Sequence, residues 1–147
     1  MADFYRYLAE IAHDELREIS IQNAANAYDI AEELVVEILS PMDPLILHLA
    51  INKSIFYFEI KEFPHYALSI SRSAFETAWD SIRTSKSSER TGTARTLFNH
   101  SMAVLSKNIR IYETEAKRRK SDPIELESTQ GEIITDRLFR RGLIAHN

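Results

Sequence analysis

No cysteine occurs among the 147 residues, so disulfides, thiolate nucleophiles and cysteine-held metals are excluded, and a reducing compartment is compatible. Glycine and proline are almost as scarce, at three and four. Gly92, Gly131 and Gly142 all fall outside the apolar-periodic stretches, and so few breakers point to long helices. No apolar run reaches membrane-spanning length, and the N-terminus lacks the charged-then-apolar pattern of a secretion signal. The expectation is a soluble, cytoplasmic protein. Glycine-rich phosphate loops are absent too, and the histidines at 13, 48, 65, 100 and 146 show no paired helical ligand spacing. Neither an enzyme nor a metal or cofactor site is expected.

What is present suits one domain with a real core: 44% hydrophobic and 27% charged residues, with a net charge of −4. The charge is uneven. Residues 1–112 carry 11 basic and 15 acidic side chains, whereas residues 113–147 carry 7 of each. An acidic body argues against nucleic-acid binding. A phosphate site here would be a local basic pocket for one phosphorylated ligand.

Five helical segments and no strand pattern make the chain all-α, a stack of antiparallel helices. The first runs from about Ala2 into the teens, with Phe4, Leu8 and Ile11 on one face. The second, from near Ser20 to Leu39, places Ala24, Ala27, Ala31, Leu34 and Ile38 in a narrow apolar stripe. Glu32, Glu33 and Glu37 read as its solvated face. Asp43 as N-cap and Pro44 at the first helical position open the third, which runs to about Lys61 and closes at Pro64. The fourth has its core at Ser69 to Ile82, with Ile70, Phe75, Ala78 and Ile82 near one face and Trp79 beside them. After a polar connection, the fifth spans about Thr93 to Lys117. Residues 1–117 thus form a helical domain. Residues 118–147 form a partly disordered tail, with a short helix expected over 133–143.

Three places carry candidate chemistry. Arg6 beside Tyr7 sets a planar guanidinium next to a phenol, suited to gripping a phosphate, with Glu10 one turn on to hold the guanidinium. The bland alternative is a surface salt bridge next to a half-buried ring. On the third helix Asn52, Ile55 and Glu59 share a face, flanked by Ile51 and His48. On the fifth, His100, Val104, Asn108 and Tyr112 recur every four residues. Two facing asparagines can clamp an extended peptide backbone, or can cap and bridge helices internally.

These stretches resemble the 14-3-3 proteins, dimeric all-helical adaptors that bind phosphoserine and phosphothreonine motifs. Phe4-Tyr5-Arg6-Tyr7-Leu8-Ala9-Glu10 is similar to the family's phosphate-binding segment, and Pro44 through Ile60 to its groove helix. Asn108-Ile109-Arg110-Ile111-Tyr112 resembles the family's Asn-Leu-Thr-Leu-Trp, and the likeness covers about residues 1–117. The resemblance implies that Arg6 and Tyr7 bind phosphate, that Asn52 and Asn108 bond the ligand backbone, and that Glu59 keeps a polar groove position. Tyr112 stands where the family has Trp, and Ile51, Ile55 and Val104 form the apolar wall. Lys53 replaces an aromatic, and His100 and Ser101 replace two aliphatics, making the wall more polar. Of the family's nine helices these are the last five. The dimer interface, homo- or heterodimeric, and two further basic residues of the pocket belong to the other four.

The tail contains Arg118-x-x-Ser121-x-Pro123, which resembles the ligand motif of the same family once Ser121 is phosphorylated. A phosphate there adds nearly two charges, and Pro123 favours a turn out of a groove. The nine residues from Tyr112 to Ser121 span up to about 30 Å, so phosphorylated Ser121 can reach the groove as its own plug. Asp136 to Ile144 is basic and apolar together, and docking on the body is its expected role. The reading is therefore a phosphopeptide-binding adaptor whose partners are phosphorylated client proteins or its own tail, with no nucleic acid and no membrane span. A helical scaffold that keeps the fold without a working phosphate pocket is the alternative.

Overall fold

The computed structural model describes residues 1–40, 42–84 and 92–120. They form five stacked helices: α1 (Ala2–Ile11), α2 (Asp14–Ile38), α3 (Pro44–Ile55), α4 (Pro64–Thr84) and α5 (Thr93–Arg119). A π-helical turn over Phe56–Ile60 prolongs α3, and no strand occurs among the described residues.

The punctuation is partly where the sequence suggests. Asp43 accepts a hydrogen bond from the Leu45 amide at 2.9 Å, with Pro44 in the first turn. Gly92, at a φ of 68°, precedes α5, but the turns before α2 and α4 are made without glycine. The first helix stops at Ile11 rather than running into the teens, because Ala12 and His13 are extended. The second then starts at Asp14, six residues before Ser20, through a positive φ of 52° at Asp14, a conformation that short polar Asp tolerates better than most. Pro64 opens α4 as well as closing the segment before it, and Glu62 makes that turn at a φ of 56°.

Two cores hold the stack. One joins Ala9 of α1, Ala24 and Tyr28 of α2, Phe56 and Tyr57 of the π-turn, Ala67 of α4, and Tyr112 and Ala116 of α5. The other gathers Leu47 and Ile51 of α3, Ala78 of α4, and Phe98, Met102 and Leu105 of α5. Small residues at 9, 24, 25 and 67 let helix backbones approach, while aromatic pairs fill the wider gaps. Tyr28–Phe56, Phe56–Tyr57 and Tyr57–Tyr66 ring centroids lie 5.4, 5.1 and 4.5 Å apart.

Two expected faces are turned the other way. Helix α1 buries Arg6 and Ala9, with Ala2 and Tyr5 packed on the core, while Phe4 and Ile11 are 63% and 74% exposed. On α2 the stripe is buried only at its start: Ala24 is in the core, but Leu34 and Ile38 face outward, and Ser20, Ile21, Ala25 and Tyr28 complete the buried set. The reason is that α2 packs on α1 along its first half, while its second half borders α3 through Asp29 and Glu32 and turns Leu34 and Ile38 away from it. On α4, Ile82 and Trp79 are exposed, with the Trp79 ring stacked on Phe75.

The charges are placed inside as well as out. Lys53 is 2% exposed, and its ammonium meets Asp29 at 2.9 Å and Glu32 at 2.7 Å, which ties α3 to α2. Glu32 is thus an ion-pair partner, not a purely solvated residue. Arg72 bonds Glu113 and joins α4 to α5, and Arg119 donates to the Glu62 carbonyl at 2.6 Å, pinning the end of α5 to the turn before α4.

Replacing Lys53→Ala leaves two carboxylates facing a void. Their partial exposure limits the penalty, so a loss of about 2 kcal/mol is expected in chemical denaturation. An unchanged midpoint would show the triad to be energetically neutral. A second expectation concerns pH. Burial, then Lys120 and Arg119, holds the His65 imidazole below its ordinary value of 6.5. The unfolded chain therefore takes up a proton that the folded one resists, and stability falls as pH drops through that value. His65→Gln should flatten the decline between neutral and mildly acidic pH, read by thermal melts.

Candidate functional site

The site is built around one carboxylate. Asp3 sits in the first turn of α1, one turn before Arg6. Its Oδ1 accepts the Tyr28 hydroxyl from α2 at 2.6 Å, and its Oδ2 accepts the Asn52 amide from α3 at 3.0 Å. The Arg6 Nε lies 3.9 Å from the same Oδ1. Three helices therefore converge on Asp3, and Arg6 and Asn52 are brought together through it.

Arg6 is 8% exposed. Its Nη1 donates to Glu10 Oε1 at 2.9 Å, as the one-turn spacing implies. Its carbon Cζ stands 4.2 Å from the centre of the Tyr7 ring, so cation and phenol lie face to face. The buried Nε makes no hydrogen bond. Burial works against the charge on Arg6, but Tyr28, Tyr7 and Glu10 more than offset it and raise its proton affinity above the ordinary value. Burial, then the hydrogen bond and charge of Asp3, likewise push the Tyr28 phenol far above its usual range. Tyr28 is therefore a permanent donor to Asp3. Tyr7 itself points out and is 56% exposed.

The groove residues separate into two groups. Ile51, Ile55 and Val104 meet in the core shared by α3 and α5, with Ile55 and Val104 part-exposed at its edge. Tyr112 is buried instead: its ring packs on Phe58 at 4.5 Å between centroids, and its hydroxyl stands 3.4 Å from Ser54. Burial raises the Tyr112 phenol, the Ser54 bond lowers it and nearby Glu59 raises it again. Glu59 is exposed on the π-turn close to that hydroxyl, and Asn108 is part-buried on α5 between Val104 and Tyr112. His100 is exposed, so its stripe passes from the surface into the core along α5. Arg118 grips Glu115, with bonds of 2.9 and 2.6 Å, while Ser121 and Pro123 lie outside the described residues, as does 133–143. Among the described residues no group of three or more His, Asp or Glu is arranged to hold a metal ion, and no helix is long and apolar enough to cross a membrane.

Sequence reasoning passed over Asp3 and Tyr28. Asp3 has a local signal, an acid one turn before Arg6, whereas Tyr28 has only its place four residues after Ala24 on the buried face. Asp3→Ala should release Asn52 and strand the Tyr28 hydroxyl, costing about 1–3 kcal/mol. Tyr28→Phe, which removes one neutral donor, should cost only about 1 kcal/mol. Equal losses in the two variants would mean that Asp3 has no role beyond the Tyr28 bond.

Comparison with known proteins agrees with this arrangement. A family model described as 14-3-3 protein matches residues 1–113. The chain is 32% identical over 123 residues to 14-3-3 protein beta/alpha-B of Xenopus laevis, covering 84% of this chain and 48% of that protein. It is 44% identical over 78 residues to 14-3-3 protein homolog 2 of Echinococcus multilocularis and of Echinococcus granulosus, covering 53% of this chain and 32% of each relative. The chain thus spans about half the length, or less, of these curated relatives. With three-quarters of its residues matched and an all-helical stack in which α1, α2 and α3 meet at one acidic side chain, the chain belongs to the 14-3-3 family.

Proposed function

We propose that this chain is a phosphoserine- or phosphothreonine-peptide-binding adaptor, acting in the cytoplasm without catalysis and holding its ligand extended along α3 and α5. The observation that carries the reading is Arg6: a buried guanidinium with an unbonded Nε, stacked on an exposed phenol and linked to Asn52 by one carboxylate. A phosphate accepting from Arg6 and the Tyr7 hydroxyl would put the following peptide unit near Asn52. That amide already donates one hydrogen to Asp3, and its second hydrogen and its oxygen remain for a backbone. Asn108 would take the preceding peptide unit, with Ile51, Ile55 and Val104 as the apolar wall and Glu59 at the polar end. Clients would be phosphorylated proteins, and homo- or heterodimers would form where the family's other four helices are present.

A finer part of the proposal concerns the tail. Ser121, with Arg118 before it and Pro123 after it, would be a phosphorylation site whose product competes for the groove in the same or a neighbouring molecule. A second reading, a scaffold that binds without phosphate, draws on Glu10. This carboxylate already holds Arg6, and an incoming phosphate must share the guanidinium with it.

Dependence on phosphate separates the two. Fluorescence polarisation with a Glu115–Glu125 peptide, with and without phosphate on Ser121, supplies the test, using chain that carries no phosphate of its own. Only the phosphorylated peptide should bind. Arg6→Ala should weaken it about 10- to 100-fold, the loss of a charge-assisted bond, and Tyr7→Phe several-fold. Equal binding of both peptides, or unchanged affinity in both variants, would remove the phosphate site in favour of the scaffold.

A further inference from the structure

Helix α3 has a second working face. At about 100° per residue, Ile46, Leu49, Ala50 and Lys53 fall on the side opposite His48, Asn52 and Ile55. On that side α2, α3 and α4 enclose a groove of about 370 Å³. Val35, Val36, Ile46, Leu49 and Ile70 form its apolar walls, and Ser69, Ser73 and Thr77 of α4 line one edge. Among the described residues, Glu32 and Lys53 are its charged lining. The buried Lys53 ammonium is held by Asp29 and Glu32, and of these two carboxylates Glu32 is the more exposed. Val36 is 67% exposed on the rim. An apolar groove with the half-exposed Glu32 carboxylate on its lining calls for a segment with apolar anchors and a cation beside them.

We propose that residues 136–144 of this same chain, Asp-Arg-Leu-Phe-Arg-Arg-Gly-Leu-Ile, occupy the groove between α2, α3 and α4. The inference is independent of the phosphate reading, since it uses the other face of α3. Three features select this occupant. Its composition is complementary: Arg137, Arg140 and Arg141 supply the positive charge, while Leu138, Phe139, Leu143 and Ile144 supply the anchors. At helical spacing Phe139 and Leu143 fall one turn apart on the same face, the pattern by which an amphipathic segment sits in a groove. The groove volume is at the small end for enclosing a whole ligand, which suits a few anchor side chains from a segment lying across it.

The path of the chain fits as well. Arg119 bonds the Glu62 carbonyl, so α5 ends beside the turn that starts α4. Tyr66, which lines the groove, stands two residues after Pro64. From Lys120 to Asp136 the chain has sixteen residues, a reach of up to about 50 Å. Docking covers the exposed Val36 and places arginines beside Glu32. It also leaves the Arg6–Asn52 face open to a ligand.

The chain's lack of cysteine makes the test clean. A nitroxide is attached at Ala145→Cys in the full chain, and amide signals are compared before and after its reduction. Signals of Glu32, Val36, Ser69 and Ser73 should broaden most, and those of Arg6 and Asn108 least. Val36→Lys, at an exposed position that leaves the fold intact by circular dichroism, should abolish the broadening, as should Phe139→Ala with Leu143→Ala. In a mixture of isotope-labelled chain without nitroxide and unlabelled chain with it, no broadening is expected. Broadening strongest at Arg6 and Asn108, broadening only in the mixed sample, or none at all would each overturn the proposal.

Discussion

The Asp3 carboxylate is the constraint on which the arrangement of the first three helices depends. Its two oxygens accept from Tyr28 and Asn52, residues 25 and 49 positions away in the chain. A single carboxylate accepting from two neutral donors sets the approach of α1 to both neighbours. Because Arg6 lies one turn further along the same helix, positioning Asp3 also positions the guanidinium. The buried face of α1 is therefore polar at its centre, with Ala2, Tyr5 and Ala9 around it. This explains why the greasier row of Phe4 and Ile11 is turned outward: the helix is oriented by its hydrogen bonds, and apolar content alone points the wrong way.

Lys53 plays the matching part on the far side of α3. An ammonium in this position cannot be left unpaired, and Asp29 and Glu32 meet it from α2. So α3 is held to α1 by an amide–carboxylate link on one side and to α2 by an ion triad on the other. Both are directional, which fixes the rotation of α3 about its axis. That rotation determines which residues face α5, namely Ile51 and Ile55, which meet Val104 there. The polar contacts select the register, and the aromatic and aliphatic cores supply most of the driving force.

Much of the fold was legible because breakers are few and the marks that exist are strong. Asp43-Pro44 announces α3, and the spacing of Ile51, Asn52 and Ile55 divides its faces correctly. The illegible turns are those built from ordinary residues. Asp14 and Glu62 adopt positive φ where a glycine would have given warning, and the start of α2 was misplaced for that reason. Of the candidate site, Arg6 with Glu10 follows from helical spacing. Tyr28 does not, since no local pattern relates it to Asp3 across 25 residues. Tyr112 illustrates the remaining gap. A four-residue period puts it in line with His100, Val104 and Asn108, yet α5 leans into the stack so that the same line runs from solvent to core.

The placement of charge then explains how an acidic protein keeps a basic site usable. Arg6 is shielded by its own helix and by the Tyr7 ring, and the carboxylates that touch it, Asp3 and Glu10, are committed to fixed bonds. They hold the guanidinium plane still and leave its buried Nε without a hydrogen bond. A second anion approaching Arg6 must overcome that local negative charge. Under the proposed function it would need several bonds at once, to Arg6, to the Tyr7 hydroxyl and to the Asn52 amide. Simple inorganic anions would offer only the first two. On that proposal the acidic surroundings would act as a filter, raising the requirement for occupancy to a ligand that couples a phosphate to an extended chain.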